Sequence, residues 1–439
     1  MTVVDSIEQR ARVGILALIA TPAVIIFISS NFVNVGNLAF NVIFSRLMGP
    51  ELFGVLALLL TIKLAFLGVL GSVQMAVSQM IAGSLPEEPS ATEHALSGMN
   101  QMLPVKPFII VSLLLSALAL IYANFAQLEL KTPHLLLLMS LALPFGASLS
   151  VLRGVAFGKM QTTRIVLSAN IEMFVRLIGA VLAWSLGFGI EGVVTAICVS
   201  ILAGWAVLSD LLPKSAKASG QTNTIVKTLF LSSLPFAALQ MAQVLALDGD
   251  IFLATLLLPA SESGLIAALS LFQRIQFFAC FALASIMLPS VISAVRNHTS
   301  LRPALLPVAA LFLAVSLPLL GLVAAAPERL IIALVGDAYL EASAGLWLAA
   351  VSAVSFTLSF LIATFLIALG NRIGVILVLI AAAVQLGLMA TCQPELFADL
   401  LKVKASVQIS TTIILISYVV INKRHADRRA LSFQKPSKD

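Results

Sequence analysis

The chain has 439 residues, of which 60% are hydrophobic and only 10% are charged. Soluble domains carry roughly a quarter charged residues, so this chain could not cover a globular surface in water. The composition therefore excludes a soluble enzyme, a disordered tail and a fibrous protein. A bilayer core about 30 Å thick needs roughly 20 apolar residues per crossing helix, and the apolar runs are sufficient for about twelve crossings.

The apolar runs, broken at clusters of charge, Pro and Gly, predict an all-α polytopic membrane protein with about twelve transmembrane helices. The start of the first helix is ambiguous, because its apolar stretch begins at Val13 and an interfacial helix broken near Pro22 fits equally well. The twelve predicted spans are 24–47, 53–81, 105–126, 133–153, 165–187, 190–211, 228–257, 264–292, 304–326, 343–368, 373–391 and 405–422.

A polar segment divides the spans six and six. It predicts an N-terminal six-helix lobe at 1–212, a cytoplasmic linker at 213–227, a C-terminal six-helix lobe at 228–422 and a basic cytoplasmic tail at 423–439. Short matches between the halves suggest a duplication. Gly54 near the start of span 2 matches Gly264 at the start of span 8, and Gly158 after span 4 matches Gly370 after span 10, at offsets of 210 and 212 residues. Parallel repeats of this kind place a binding cavity between pseudo-symmetric lobes.

The basic residues of the loops are distributed unequally between the two sides. With alternating sides, eighteen Lys and Arg residues fall on the side of both termini. Five fall on the other side: Arg46, Lys131, Arg329, Lys402 and Lys404. This bias predicts a multi-pass protein of the cytoplasmic (inner) membrane with both termini in the cytoplasm. It also accounts for the net charge of +6 without a nucleic-acid partner.

Three basic residues fall inside predicted spans. Lys63, Arg176 and Arg274 each lie ten or eleven residues past a span's start, which is about 15 Å deep at 1.5 Å per residue. A buried cation at that depth costs at least about 2.5–3.5 kcal/mol and needs a partner or a cavity. We predict that the three bind an anion, with Lys63 and Arg274 forming a cationic clamp that faces the cleft between lobes.

Each of these cations has an alternative explanation. Glu172 lies one helical turn before Arg176, so an ion pair explains Arg176 equally well. Lys63 and Arg274 have no acidic residue three or four positions away, although Lys63 would reach the interface if its helix were shifted in register.

Span 7 carries two carboxylates, Asp248 and Asp250. They are candidates for coupling transport to a proton or a cation, or for pairing with Arg274. Alternatively, Gly249 loosens the helix near the outer interface, where carboxylates cost little. Gln240 and Gln243 make the same helix polar and are candidates for contacting sugar hydroxyls.

Span 1 carries an amide stripe. Asn34, Asn37 and Asn41 fall within about 60° of one another on a helical wheel. The stripe suits a hydrated cavity that recognises polyols, and hydrogen bonding between helices is the alternative. The histidines and cysteines show no metal-ligand spacing, so we expect no metal and no cofactor.

One motif has a familiar form. The segment from Ser45 to Gly54, SRLMGPELFG, resembles the R-x-x-G-P-x-x-[FY]-G hairpin of polysaccharide flippases in the multidrug/oligosaccharidyl-lipid/polysaccharide exporter superfamily. Its matching residues are Arg46, Gly49, Pro50, Phe53 and Gly54. Weaker likenesses are the segment from Leu152 through Arg176, the Asp of helix 7, Pro289 ending helix 8, and the loop from Gly336 to Tyr339.

The resemblance implies an alternating-access transporter, not an enzyme. It implies flipping of polyprenyl pyrophosphate-linked oligosaccharide across the bilayer, with polysaccharide polymerase machinery as a further partner. Lys63 and Arg274 match cavity cations of helices 2 and 8 in that family. The alternatives are a multidrug or organic-cation antiporter of the same superfamily, a membrane glycan polymerase or ligase, and a membrane scaffold without transport activity. A cationic cavity disfavours the antiporter, and the lack of a sizeable outer loop disfavours the polymerase.

Overall fold

The structure, a computed structural model, describes residues 22–83, 133–211, 222–296, 299–392 and 394–433. All regular elements in these ranges are helices, and ten helices are long and apolar enough to cross a membrane. Predicted span 105–126, the stretch from Val13 and most of the linker lie outside the described residues. The α-helices are α1 Pro22–Gly83, α2 Pro133–Gly158, α3 Thr162–Ser185, α4 Gly189–Ala206, α5 Thr222–Leu257, α6 Ala260–Arg296, α7 Arg302–Ala325, α8 Pro327–Leu334, α9 Ser343–Ala368, α10 Ile373–Thr391 and α11 Phe397–Phe433.

The predicted spans correspond closely to these helices. Helix α1 covers spans 1 and 2 and is interrupted at Gly49, so the eleven predicted spans that fall on described residues are all found as helices. Large apolar side chains such as Leu182, Leu306 and Ile380 point outward and are exposed. Such surfaces are stable in lipid and not in water. The all-α polytopic membrane fold is thus confirmed.

The interruption in α1 follows from two residues. Gly49 has φ 71° and ψ 175°, a conformation that strains any residue with a Cβ. Pro50 follows, and proline disfavours helical geometry in the residue before it. The Gly-Pro pair therefore ends one helix and begins the next within a single residue.

Contacts divide the chain into two compact units. Unit 1 comprises Met1–Ile43 and Ile62–Ala237, and unit 2 comprises Phe44–Thr61 and Ala238–Asp439. We call Phe44–Thr61 the bend segment. The sequence-based lobe bounds follow the order of the spans and stay a prediction; the contacts instead assign the bend segment to unit 2.

The bend segment packs on unit 2 through polar and backbone contacts. The Tyr339 hydroxyl donates to the Ser45 carbonyl at 2.9 Å, and Arg46 donates to the carbonyls of Ile332 at 3.2 Å and Ala333 at 2.5 Å. These carbonyls lie in the last turn of α8, where the helix has no donors of its own for them.

Two glycines bring the backbones of α1 and α6 together. A Cβ on Gly54 would lie 3.3 Å from the Gly264 nitrogen, and a Cβ on Gly264 would overlap the Pro50 carbonyl. The motif residues Gly49, Pro50 and Gly54 therefore have a packing role in this structure.

The turns after α2 and α9 close in the same way. Gln161 N–H donates to the Ala156 carbonyl and Asn371 N–H to the Leu366 carbonyl, both at 2.8 Å. Equivalent residues of these turns are therefore 210 apart, and the offset of 212 taken from the glycines is wrong by two residues. Gly54 and Gly264 keep the same 210-residue offset. At that offset the counterpart of Lys63 is Gln273 rather than Arg274.

Within unit 1, α3 packs against α4, and α4 against α2. Within unit 2, α6 and α11 both pack against α9. An aromatic cluster on α6 and α9 is part of the unit 2 core, with the Phe277 and Phe360 ring centroids 5.1 Å apart. These packed helices hold the buried charges described next.

Candidate functional site

A buried charge group in unit 1 is centred on Glu172 of α3. Its Oε1 lies 3.8 Å from Lys63 Nζ on α1, and its Oε2 accepts from Arg153 on α2 at 2.9 Å. Lys63 is only 4% exposed. Its acidic partner comes from another helix, so spacing along its own helix gave no sign of it.

Arg153 is the last residue of predicted span 133–153 and lies inside α2, which continues to Gly158. Besides Glu172, it donates to Ser168 Oγ at 3.2 Å, and Ser168 in turn donates to the Gly204 carbonyl at 2.9 Å. A Cβ on Gly204 would lie 3.2 Å from the Glu172 Cβ, so this glycine lets α4 approach the group closely.

Arg176 completes the group of unit 1. Its guanidinium donates to Asn37 Oδ1 and lies 5.9 Å from the centroid of the Phe40 ring. It interacts electrostatically with Lys63 and Glu172. The i,i+4 ion pair that was the alternative explanation of Arg176 is not formed in the described part of the chain, where the carboxylate of Glu172 contacts Arg153 and Lys63 instead. Three basic side chains face one carboxylate, so the formal charge of this group is +2.

The first charge pair of unit 2 joins α5 to α6. Arg274 Nε donates to Asp248 Oδ1 at 2.9 Å, and Arg274 also donates to Thr61 Oγ1 at 3.3 Å. Both members of the ion pair are buried. The pairing of Asp248 with Arg274, one of the explanations considered for this carboxylate, is formed.

The second pair of unit 2 joins α5 to α11. Lys404 Nζ lies 2.7 Å from Asp250 Oδ2, and both side chains are 1% exposed. The predicted position of Lys404 in an outer loop is wrong, because α11 begins at Phe397 rather than at residue 405. A signal was present in the sequence: Lys404 follows Leu400 and Leu401 by four and three residues and so shares their apolar face. Two cations face two carboxylates in unit 2, and the formal charge of the group is zero.

Gly249 does not loosen its helix, which continues to Leu257. A Cβ at this position would lie 2.6 Å from Leu386 Cδ2, so the glycine instead allows α10 to pack closely. Asp248 and Asp250 are buried inside unit 2 and paired.

The candidate sugar-binding amides lie in both units. In unit 1, Asn37 accepts from Arg176, and Asn41 donates to the Asn37 carbonyl at 2.8 Å. Contact between helices, the alternative explanation of the stripe, accounts for Asn37. Asn34 is half-buried. In unit 2, Gln243 is buried and Gln240 is half-buried. A role of these amides in binding a glycan stays a prediction.

Comparison with known proteins gives structural matches alone. No family model and no curated protein matches the sequence. The inward-facing conformation of a multidrug resistance MATE family transporter of the MOP superfamily aligns with a TM-score of 0.71 and 15% identity, over 92% of this chain and 96% of that one. The lipid II flippase MurJ in an inward closed conformation aligns with a TM-score of 0.72 and 15% identity, over 90% and 87%. MATE in the bent conformation aligns with a TM-score of 0.62 and 14% identity, over 94% and 96%.

At this identity the likeness establishes the fold alone. The resemblance to the exporter superfamily, first seen in the Gly-Pro motif, extends over about nine-tenths of the chain at the level of fold. The chain is a multi-pass membrane protein whose fold is similar to that of MATE transporters and of the lipid II flippase MurJ.

Proposed function

We propose that this chain flips a polyprenyl pyrophosphate-linked oligosaccharide from the inner to the outer leaflet of the cytoplasmic membrane, for polysaccharide biosynthesis. The observation that carries the proposal is the buried group in unit 1, in which Glu172 is the one carboxylate of the described residues that Lys63, Arg153 and Arg176 face. Excess buried charge is costly unless a counter-ion arrives. A pyrophosphate diester, with one ionised oxygen on each phosphorus atom, matches an excess of two positive charges.

Charge-assisted hydrogen bonds to phosphate are strong, and arginine binds phosphate in a bidentate manner. Lys63 and Arg176 are the residues that we assign to the pyrophosphate, because Arg153 already has a close partner in Glu172. We do not assign Arg274 to the pyrophosphate in the first instance, because Asp248 neutralises its charge within unit 2. The clamp of Lys63 with Arg274 stays a prediction.

The proposal is tested with purified full-length protein in liposomes that contain a fluorescent polyprenyl pyrophosphate oligosaccharide. The variants are Lys63→Ala, Arg176→Ala and their combination. We expect each single variant to lower the flipping rate about tenfold or more and the combination about 100-fold, because each removes a charged contact with phosphate. Arg164→Ala is the matched control: Arg164 lies on the same helix as Arg176 and forms an exposed ion pair with Asp210. If the folded double variant flips the substrate at the wild-type rate, the assignment is wrong.

A second candidate is a multidrug or organic-cation antiporter. Two observations favour it: the match to MATE transporters and the two buried carboxylates Asp248 and Asp250. Against it, both carboxylates are already paired with basic side chains, and the group in unit 1 repels cations. Efflux of an organic cation from a pump-deficient host, lost in Asp248→Asn, would favour this candidate over the first.

The orientation is part of the proposal. The bias of Lys and Arg supports cytoplasmic termini. A fluorescent protein fused to the C-terminus should fluoresce and alkaline phosphatase at the same position should be inactive; the reverse result would contradict this topology. The flipped glycan would then be available to polymerase machinery on the outer leaflet.

A further inference from the structure

The ammonium group of Lys404 is enclosed within unit 2. It donates to three oxygens: Asp250 Oδ2 at 2.7 Å, Gln273 Oε1 at 2.5 Å and the Leu247 carbonyl at 2.7 Å. A lysine ammonium has three N–H donors, so all of them are used. The side chain is fully buried, and it is one of the largest completely buried side chains in the described part of the chain.

The oxygens around Lys404 are of the kind that hard metal cations select. A carboxylate, a side-chain amide and a main-chain carbonyl converge on one point, and such oxygens are the usual protein ligands of these ions. They come from α5 and α6, whereas the ammonium comes from α11. The pocket is thus formed by two helices and filled by a third.

Further contacts hold this pocket in place. Asp250 Oδ1 accepts from the Ile251 N–H at 3.2 Å. Gln385 donates to the Ala246 carbonyl at 3.2 Å and accepts from Gln408. Two successive carbonyls of α5, those of residues 246 and 247, therefore receive side chains from α10 and α11.

Lys402 lies two residues before Lys404 on α11, and its surroundings are different. It is exposed and donates to Asp399 Oδ1 on its own helix at 3.0 Å. That ion pair is an ordinary surface contact, of the kind that adds little to stability. The two lysines carry the same charge on the same helix, and only Lys404 is surrounded by oxygens from other helices.

We propose that Lys404 is a tethered cation: its ammonium occupies a cation site formed by Asp250, Gln273 and the Leu247 carbonyl. Unit 2 therefore takes up no free Na⁺ at this site in the wild-type protein. Truncating the side chain to alanine opens the site, and Na⁺ replaces the ammonium beside Asp250. This inference is independent of the substrate proposed above, because its readout is the Na⁺ dependence of folding.

The test measures thermal unfolding of purified full-length protein in NaCl and in choline chloride at equal concentration. We expect the wild-type Tm to be the same in both salts. Lys404→Ala should have a lower Tm in choline chloride, because Asp250 is left buried without a cation, and Na⁺ should raise that Tm saturably by roughly 5 °C. The double variant Lys404→Ala/Asp250→Asn should fold without a Na⁺ response, since the carboxylate charge is gone.

Lys402→Ala is the matched control and should show no Na⁺ response. Four results would overturn the proposal. The wild-type Tm could rise with Na⁺ in a manner abolished by Asp250→Asn, Lys404→Ala could be folded and indifferent to Na⁺, or the double variant could respond like the single one. A Lys404→Ala protein that folds in neither salt would also count against it, because Na⁺ should then replace the ammonium.

Discussion

The two units bury charge groups of the same size and of different balance. In unit 1, Lys63, Arg153 and Arg176 face Glu172, whereas in unit 2 Arg274 and Lys404 each have a carboxylate. The group in unit 2 needs no further counter-ion, whereas the two excess positive charges in unit 1 are the basis on which we propose that an anion binds there. The comparison shows that a buried cation is evidence for an anion-binding site only when the carboxylates around it do not already balance its charge.

The comparison also separates two positions that the sequence made equivalent. Lys63 and Arg274 lie near corresponding points of the two halves, but the helix turns fix an offset that pairs Lys63 with Gln273. Gln273 does contact a cation, the ammonium of Lys404. Each half therefore has a cation at this position: the side chain of Lys63 on α1 in one half, and the ammonium of Lys404 on α11, which contacts Gln273, in the other.

The largest effect that we expect is on unit 1. Glu172→Gln should lower the free energy of unfolding by about 4–5 kcal/mol, because it leaves Arg153 and Lys63 buried without a carboxylate. The measurement is thermal or denaturant unfolding in detergent. Asp210→Asn is the control, since it makes the same chemical change in an exposed ion pair and should cost at most about 1 kcal/mol. Equal losses of unfolding free energy in the two variants would mean that the Glu172 carboxylate stabilises the buried cations of unit 1 no more than an exposed ion pair does.

In unit 2 we expect a single substitution in the pair of Arg274 and Asp248 to lower stability more than the substitution of both residues together. Arg274→Ala should cost about 3 kcal/mol, because Asp248 is left buried and charged. The combination Arg274→Gln/Asp248→Asn should cost less than about 1.5 kcal/mol, since both charges are removed together. A double-mutant cycle by unfolding measures the coupling. Additive losses would contradict a self-neutralised pair.

The contact of the bend segment with unit 2 is tested at Gly264. Gly264→Ala should cost about 2 kcal/mol, because the added Cβ overlaps the Pro50 carbonyl and the backbones must separate. Gly321→Ala is the matched control: it lies in α7 of the same unit and an added Cβ would meet no atom within 4 Å. Thermal unfolding distinguishes them, and a Gly264→Ala protein as stable as the control would show that this approach is loose.

The smallest effect that we expect is at Arg46. Arg46→Ala should lower the free energy of unfolding by about 1 kcal/mol. The guanidinium is exposed, so its two acceptor carbonyls at the end of α8 can form hydrogen bonds with water instead. Arg46→Lys should recover only part of this, because an ammonium cannot span both carbonyls in the same geometry. A loss above that of Gly264→Ala would mean that this contact, rather than the glycine approach, holds the bend segment to unit 2.

Most of the fold could be predicted from the sequence. Hydropathy is a local property, so eleven spans were found within a few residues of the helices, and the interruption at Gly49 followed from the Gly-Pro pair. The start of α11 was predicted wrongly. The charged residues Asp399, Lys402 and Lys404 are typical of a loop, so the predicted span began at residue 405 and left out the helical turns that carry the buried Lys404.

The partners of the buried charges could be predicted only in part. Asp248 was a candidate for Arg274 because few carboxylates lie in apolar stretches. The i,i+4 spacing made Glu172 an alternative partner for Arg176, but Glu172 pairs with residues 19 and 109 positions away, because the packing of the helices decides which side chains meet. The sequence alone determined that this is a membrane protein with long apolar helices, a Gly-Pro break and charges that need partners, because composition and local geometry fix those properties. Only the tertiary structure decided which charges neutralise one another, because the two sides of each buried pair come from different helices, and for Lys63 with Glu172 and Lys404 with Asp250 from helices far apart in the chain.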